Sequence, residues 1–361
     1  MAEAGQGAWS RSVLMSDGRP LAVADVVVAA HWRGELQAPW TRLLRLVACA
    51  RRAAALEDTD DLAADEGTLQ SMSDQFRYDR DLITADETER WLEARGLTLE
   101  DFDAHFLRRY WGDVLDEPAE PEVLDYRSAP DDLQDVLVID LVLSGELDRM
   151  ALALGWRIAA ARAVPDPLAP DDDAAAPRDA PGSADAVTAA WVARIGADQQ
   201  WFEQSPRLEA AFERERERLL TRDRIEQALA RRRLALSRVE LETVDVDTLD
   251  AAREVALCVH EDGLSMEDIA SEGGYRYQRT QVVLEDLASD VQQRLLRAAA
   301  GEMLDAVAHE GGFHVHRLLG RAEPDPDDEE VRTRVERLLL DEHFADLMRT
   351  CVQWPHAMGG A

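Results

Sequence analysis

The sequence contains no lysine: all 40 basic side chains among its 361 residues are arginines, against 73 acidic side chains. The formal net charge is therefore -33. A surface this acidic repels nucleic acid and anionic lipid over roughly 8–10 Å, the screening length at physiological ionic strength. The charge argues against a nucleic-acid partner and against a membrane partner. A basic or polar peptide is the kind of partner that it would attract.

Cysteine is scarce as well. The three cysteines, Cys49, Cys258 and Cys351, are odd in number and lie far apart in the sequence. Such a set does not form a disulfide framework. Each cysteine lies in an apolar helical pattern, so we expect all three to be small core residues.

Long hydrophobic runs are also missing. The early apolar run, 21–30, carries Asp25 and is too short to cross a bilayer, which takes about 20 residues. The first residues lack the basic segment followed by an apolar segment that marks a signal peptide. We therefore expect a soluble, cytoplasmic protein.

Several catalytic motifs are absent. The sequence has no serine-centred nucleophile motif and no glycine-rich phosphate loop, and its carboxylates are too numerous to single out an acid pair. We expect no cofactor. With 46% hydrophobic residues, however, a chain of this length can bury the cores of two or three domains.

Helical patterns fill residues 20–233, where apolar side chains recur three and four positions apart. Thr84 and Glu87 are predicted to form a capping box at the start of a helix. Gly96 is a natural end for that helix. A second helix is expected to start at Thr98. No such pattern precedes residue 20, so 1–19 is predicted to be disordered.

This helical region repeats itself. A shift of 110 or 111 positions aligns four landmarks, and a nearly constant shift indicates an internal duplication. Chance similarity between two alanine-rich amphipathic segments is the alternative. The aligned landmarks are 25–36 with 136–147, Gly34-Glu35-Leu36 within them with Gly145-Glu146-Leu147, Trp91 with Trp201, and Phe102 with Phe212.

The repeat divides the helical region into a first copy, 20–115, and a second copy, 126–233. The stretch 163–186 is rich in proline, alanine and aspartate. Such a composition cannot bury enough apolar surface to order itself, so we expect a flexible insertion within the second copy.

The pattern changes after residue 233. Strands are expected at 237–246, 275–283, 303–310 and 313–321, with helices between the first three and a helix stop at Gly301. An amphipathic helix at 327–354 closes the chain. The predicted fold class is a multidomain α + (α+β) protein, with a helical region followed by a four-stranded antiparallel sheet and a closing C-terminal helix.

The stretch AAAGEMLDAVAHEGGFHVHRLLGRAEP, residues 298–324, has a Gly-Glu dipeptide at a helix end, then a strand and a glycine turn. It enters the last strand as Gly312-Phe313-His314-Val315. In this order of features, residues 236–323 resemble a parvulin-type peptidyl-prolyl isomerase. The helical region, through TADETERWLEARGLTLEDF at 84–102, resembles the peptide-binding domain of SurA-type chaperones.

The parvulin resemblance implies a substrate site, of which His314 is the one position kept. The family places a histidine on the first strand, which falls near Arg238 here, and an acidic residue or cysteine at the start of the second strand, which falls near Gln278. Its apolar floor corresponds to Leu287 and Val291. Together with Phe313, these last four residues are the expected peptide-binding set, and His314 is the candidate catalytic residue.

Parvulin catalysis needs no covalent step. It lowers a barrier of roughly 18–20 kcal/mol by binding the twisted prolyl bond better than either planar form. An intact hydrogen-bonded pocket matters for this differential binding, and most of the family's pocket is replaced here. We therefore expect peptide binding to be retained more readily than isomerase activity.

A metal site is the alternative interpretation of the histidines. His314 and His316 project from the same face of the predicted strand, with His309 nearby. No cysteine or second cluster near them in the sequence completes a ligand set. We therefore expect neutral histidines hydrogen-bonded within a sheet, and no metal.

The favoured function is an accessory, foldase-like protein in peptide or protein maturation that binds an unfolded or extended client. An active peptidyl-prolyl isomerase is the first alternative. The second is a non-enzymatic scaffold that recruits a peptide-modifying enzyme to its acidic surface.

Overall fold

The computed structural model describes residues 3–57, 63–115, 125–163, 185–309 and 311–355. The predicted flexible insertion, 163–186, lies almost wholly outside these residues. The chain divides into two compact units: unit 1 runs to Arg216 and resumes at His343, and unit 2 is Glu217–Glu342. No helix in the described part of the chain is both long enough and apolar enough to span a bilayer.

Unit 1 is mostly helical. Its N-terminal part contains α1 (Glu3–Ser10), β1 (Ser12–Ser16), β2 (Arg19–Ala22), α2 (Val23–Trp32), α3 (Gln37–Glu57), α4 (Glu66–Tyr78), α5 (Ala85–Ala94) and α6 (Leu99–Val114). Its second part contains α7 (Asp131–Leu143), α8 (Glu146–Ala163), α9 (Ala186–Arg194) and α10 (Gln199–Leu219). The predicted capping box is confirmed, because the Thr84 side chain accepts from Glu87 N and the Glu87 side chain accepts from Thr84 N.

The prediction of disorder over 1–19 is wrong from Glu3 onward. Strands β1 and β2 form a hairpin around Asp17-Gly18, both with positive φ, which suits the right-handed twist of a two-residue turn. Leu14 and Leu21 are fully buried. An Asp-Gly dipeptide between short apolar runs is a hairpin signal that the helix-centred interpretation overlooked.

The two segments of the predicted repeat each contain a series of helices, but no single shift relates the positions that correspond in them. Gly34 and Gly145 each follow a first helix with φ near 74° (73° and 75°), which agrees with the predicted shift of 111. The later helical hairpin matches at a shift of 100, not 110. The equivalent buried or turn positions there are Thr88 and Thr188, Leu92 and Val192, Gly96 and Gly196, and Phe102 and Phe202.

The predicted alignment of Trp91 with Trp201 is therefore wrong: Trp91 lies in α5 and Trp201 in α10. The first helix of each copy packs against the other copy. Helix α2 packs against α8, and α7 packs against α3 and α6. The two copies consequently share one core.

Unit 2 contains α11 (Arg222–Arg232), β3 (Arg238–Val246), α12 (Leu249–Leu257), α13 (Met266–Gly273), β4 (Arg276–Val283), α14 (Ser289–Arg297), β5 (Val307–His309), β6 (Gly312–Ala322) and most of α15 (Glu329–Met348). The sheet is antiparallel in the order β4-β3-β6-β5. The predicted fold class, a helical region with a four-stranded antiparallel sheet, is confirmed.

Three predicted boundaries in this region need correction. Helix α14 ends at Arg297 and not at Gly301, and the predicted strand 303–310 reduces to β5 and a single bridge between Met303 and Arg317. Helix α11 belongs to unit 2, so the second helical copy does not extend to 233. Its apolar side explains this: Ile225 and Leu229 are buried with Leu236, Val283, Val331 and Val335.

Helix α15 leaves unit 2 at Glu342. In unit 1 its Phe344 is fully buried and stacks on Trp156, and it lies 5.4 Å from Phe212 between ring centroids. The chain then forms β7 (Val352–Gln353), which pairs with β1 and gives a three-stranded sheet in the order β2-β1-β7.

The two faces of the unit 2 sheet are covered differently. Val244, Val246 and Val315 pack against α12 and α13 on one face. On the other face, Val239, Leu241 and Leu318 form a core with Val291 and Leu295 of α14. Farther along this second face, at Thr243 and Asp245, polar side chains replace the apolar ones.

Candidate functional site

The polar half of the second sheet face is built by the register between β3 and β6. Asp245 pairs with His314, and Thr243 pairs with His316. Because side chains alternate along a strand, these four side chains project from the same face. They are partly buried, and the side chains of His314 and Asp245 are 34% and 28% exposed.

Each cross-strand pair is hydrogen-bonded. Nδ1 of His314 lies 2.6 Å from Oδ1 of Asp245. An ionised carboxylate only accepts, so Nδ1 carries the proton and donates it, and Nε2 presents a lone pair when the ring is neutral. Oγ1 of Thr243 lies 2.9 Å from Nδ1 of His316.

His316 is held neutral by its surroundings. Burial, followed by the neighbouring His314, lowers the pKa of His316 to about 4. At neutral pH the ring is therefore an uncharged donor and acceptor. It lies beside His314, with 5.7 Å between the ring centroids.

His309 completes the group, which we call the histidine cluster: Thr243, Asp245, His309, His314 and His316. His309 ends β5 and pairs with Gly312 at the start of β6. Its ring stacks on His314 with 3.8 Å between centroids and 14° between planes. Strands β3, β5 and β6 thus each contribute to one group, which exists only in the folded sheet.

Gly312 permits this arrangement. A Cβ atom built there would overlap the carbonyl oxygen of Val246, at the end of β3. Glycine therefore lets the start of β6 approach β3 closely enough to bring His314 beside Asp245.

The structure places two predicted site residues within or beside the cluster. His314 lies at its centre. Gln278, exposed on the edge strand β4, pairs with Thr243 in the register. These two are the only members of the predicted set that lie on this half of the face within the described chain.

The other predicted site residues lie elsewhere. Arg238 is at the far end of β3, seven positions and roughly 23 Å from Asp245, where it binds Asp328 at 3.0 Å and Glu330 at 2.6 Å. Phe313 points to the opposite face, because it neighbours His314 in the strand, and it packs with the core against α12 and α13.

The predicted apolar floor is part of the core that α14 forms on this face. Val291 is buried in the core beneath α14, and Leu287 packs against that core. Both side chains lie on the face that carries the histidine cluster, in its apolar half.

Two important residues were missed. Thr243 and Asp245 alternate with the buried Val244 and Val246 in the correctly predicted first strand. This alternation was a signal that both face away from the α12 side. The partner of each could be found only from the antiparallel register with β6.

No protein-family model and no curated protein matches the chain. Among solved structures, the chain is similar to the peptidylprolyl isomerase PrsA of Bacillus anthracis (15% identity, 42% of this chain, 73% of that one, TM-score 0.23). It is also similar to PrsA of Bacillus cereus (17%, 42%, 60%, TM-score 0.25). It spans less than two thirds of the latter's length.

A SurA-like chaperone of Campylobacter jejuni matches at 8% identity over 96% of this chain and 100% of that one, with a TM-score of 0.20. A peptidylprolyl isomerase and a SurA-like chaperone are also the two kinds of protein that the sequence was found to resemble. At these identities and TM-scores, the matches assign no activity to this chain and no role to any of its residues.

Proposed function

We propose that this chain is a foldase-like protein that binds extended segments of unfolded polypeptides on the polar half of the unit 2 sheet. The observation that carries the proposal is the pairing of His314 with Asp245 on a face that α14 leaves half uncovered. An extended polypeptide offers backbone N–H and C=O groups at regular spacing. The lone pair on Nε2 of His314 matches such an N–H donor.

The edge of the sheet supports the same proposal. Strand β4 is the outer strand, and its residues Arg276 and Gln278–Gln281 are exposed. Extended peptides commonly add to a sheet edge through main-chain hydrogen bonds. A client lying along β4 would reach the cluster across Gln278, which neighbours Thr243.

The experiment measures the affinity of fluorescently labelled unfolded peptides by anisotropy. His314→Ala should weaken binding about tenfold, because one lost hydrogen bond is worth about 1.4 kcal/mol. His260→Ala is the matched control, since His260 is exposed on the α12 side of the same unit. Equal affinities for both variants would contradict the proposed site.

Peptidyl-prolyl isomerase activity is the second candidate. The neutral, hydrogen-bonded His316 beside His314 favours it, because a polar but uncharged site can bind a twisted prolyl amide without a covalent step. A protease-coupled assay with prolyl peptides tests it. No rate above background at high protein concentration would exclude the activity.

The cellular setting is part of the proposal. We infer from the sequence a cytoplasmic location and a role in peptide or protein maturation beside a modifying enzyme. Cell fractionation checks the location, and a pull-down that recovers one stoichiometric enzyme checks the partner.

A further inference from the structure

Three side chains of the histidine cluster bring possible metal-ligand atoms close together. Asp245, His309 and His314 each offer one ligand atom, and these atoms all lie within 4.8 Å of one another. Two donors bound to one zinc ion at about 2.1 Å lie about 3.4 Å apart when the geometry is tetrahedral. Small rotations of the three side chains would therefore bring them into a single coordination sphere.

The type of donor defines the cation. Imidazole nitrogen with a carboxylate oxygen suits Zn²⁺ and similar divalent ions of the first transition row, whereas Mg²⁺ and Ca²⁺ prefer ligand sets made of oxygen. The rings of His309 and His314 stack with 3.8 Å between their centroids, so the fold already holds two imidazoles side by side.

The surroundings already orient the donors. Asp245 fixes the His314 ring through the bond of 2.6 Å at Nδ1, and an ion would take the place of the proton shared by these two atoms. The three donors come from three hydrogen-bonded strands, so the backbone under them is rigid. His316, held by Thr243, packs beside the group, with 5.7 Å between its ring centroid and that of His314.

We propose that Asp245, His309 and His314 bind one Zn²⁺ or a similar divalent transition-metal ion. Three protein ligands leave a fourth position to water, or to a carbonyl or carboxylate oxygen of a bound polypeptide. The metal proposal does not rest on the proposed peptide binding, because all three ligands belong to this chain.

The test is calorimetric titration of the metal-free full chain with Zn²⁺ in excess Mg²⁺, which occupies scattered surface carboxylates. One site per chain is expected. The substitutions His309→Ala and Asp245→Asn should each lower the affinity for Zn²⁺ at least tenfold, whereas His260→Ala should leave that affinity unchanged. His309 is exposed at a sheet edge, so its truncation leaves the core intact, and circular dichroism checks the fold of each variant.

A second measurement keeps the proposal testable if one variant fails to fold. In the unmodified chain, Zn²⁺ should shift the ring ¹⁵N resonances of His309 and His314 and leave those of His260 in place. Three results would overturn the proposal: no site remaining in Mg²⁺, a single site unaffected by either substitution, or ring shifts confined to other histidines.

Discussion

His314 donates a hydrogen bond from Nδ1 to Oδ1 of Asp245, 69 positions earlier in the chain, at 2.6 Å across the β3–β6 pair. This bond sets the orientation of the His314 ring. It joins a recognised sequence feature, the histidine of the last strand, to a residue that the sequence did not single out.

Replacing Asp245 should therefore weaken the site without unfolding the sheet. Asp245→Asn keeps the size of the side chain but removes the charge that favours the Nδ1–H form of His314. We expect a several-fold loss of affinity for unfolded peptides in the anisotropy assay. Glu240→Gln is the matched control, because Glu240 is a carboxylate of the same strand that binds the exposed Arg279. A similar loss of peptide affinity in both variants would show that the change in net charge, and not the bond to His314, causes the effect.

Gly312→Ala should destabilise unit 2 and displace the cluster. The added Cβ overlaps the Val246 carbonyl, and backbone cannot move aside cheaply, so we expect a loss of about 1–3 kcal/mol in the free energy of unfolding. Urea unfolding of the full chain measures it. Gly320→Ala is the control on the same strand, because a Cβ there meets no atom within 4 Å. Equal stability of the two variants would contradict the close approach.

Asp140→Ala should destabilise unit 1. Asp140 is 2% exposed, lies 3.3 Å from the buried His105 and binds Arg42 at 2.7 Å. Burial alone would raise the pKa of Asp140, but the neighbouring His105 and the hydrogen bond from Arg42 outweigh burial and lower it. We expect a loss of about 2–3 kcal/mol, the value of hydrogen bonds to a charged group, by urea unfolding.

The pH dependence of this effect has a definite sign. A carboxyl whose pKa is lower in the folded chain contributes stability above its ordinary pKa, about 3.9, and loses it as the pH falls further. The difference in the free energy of unfolding between the Asp140→Ala variant and the unmodified chain should accordingly become smaller below pH 4. Asp74→Ala, at an exposed ion pair on α4, should cost little at any pH.

His31 should make unit 1 sensitive to mild acid. Its Nδ1 lies 2.5 Å from the Tyr126 hydroxyl, and its ring packs edge-on against Trp191. Burial, followed by the charge of Arg127, lowers the pKa of His31 to about 4. In the unfolded chain, the His31 ring is protonated near its ordinary pKa of about 6.5. As the pH falls from about 6.5 to about 4, the free energy of unfolding should therefore decrease by about 3 kcal/mol because of His31.

Unfolding free energies of the unmodified chain and of His31→Gln, measured across this pH range, check the prediction. The variant should lack this part of the pH dependence. The same substitution at the exposed His260 should leave the dependence unchanged. A parallel pH profile for His31→Gln and the unmodified chain would show that His31 is not buried as a neutral ring.

Local features of the chain were predictable because neighbouring residues encode them. Strands β3, β4 and β6 follow from alternation and from β-branched residues, and the capping box at Thr84 and the helix end at Gly96 follow from side-chain and backbone conformation. The Asp17-Gly18 hairpin was encoded in the same way and was overlooked. The sequence by itself thus determined most elements and the general fold class.

Only the tertiary structure decided the site. The sequence predicted Arg238 and Phe313 beside His314, but the register of β3 against β6 puts Arg238 at the far end of the sheet and Phe313 on the other face. Register reflects the packing of both sheet faces at once, and a shift by one residue would exchange those faces. Asp245 and His309 therefore meet His314 only when the three strands have paired, since no local pattern links residues so far apart in the chain.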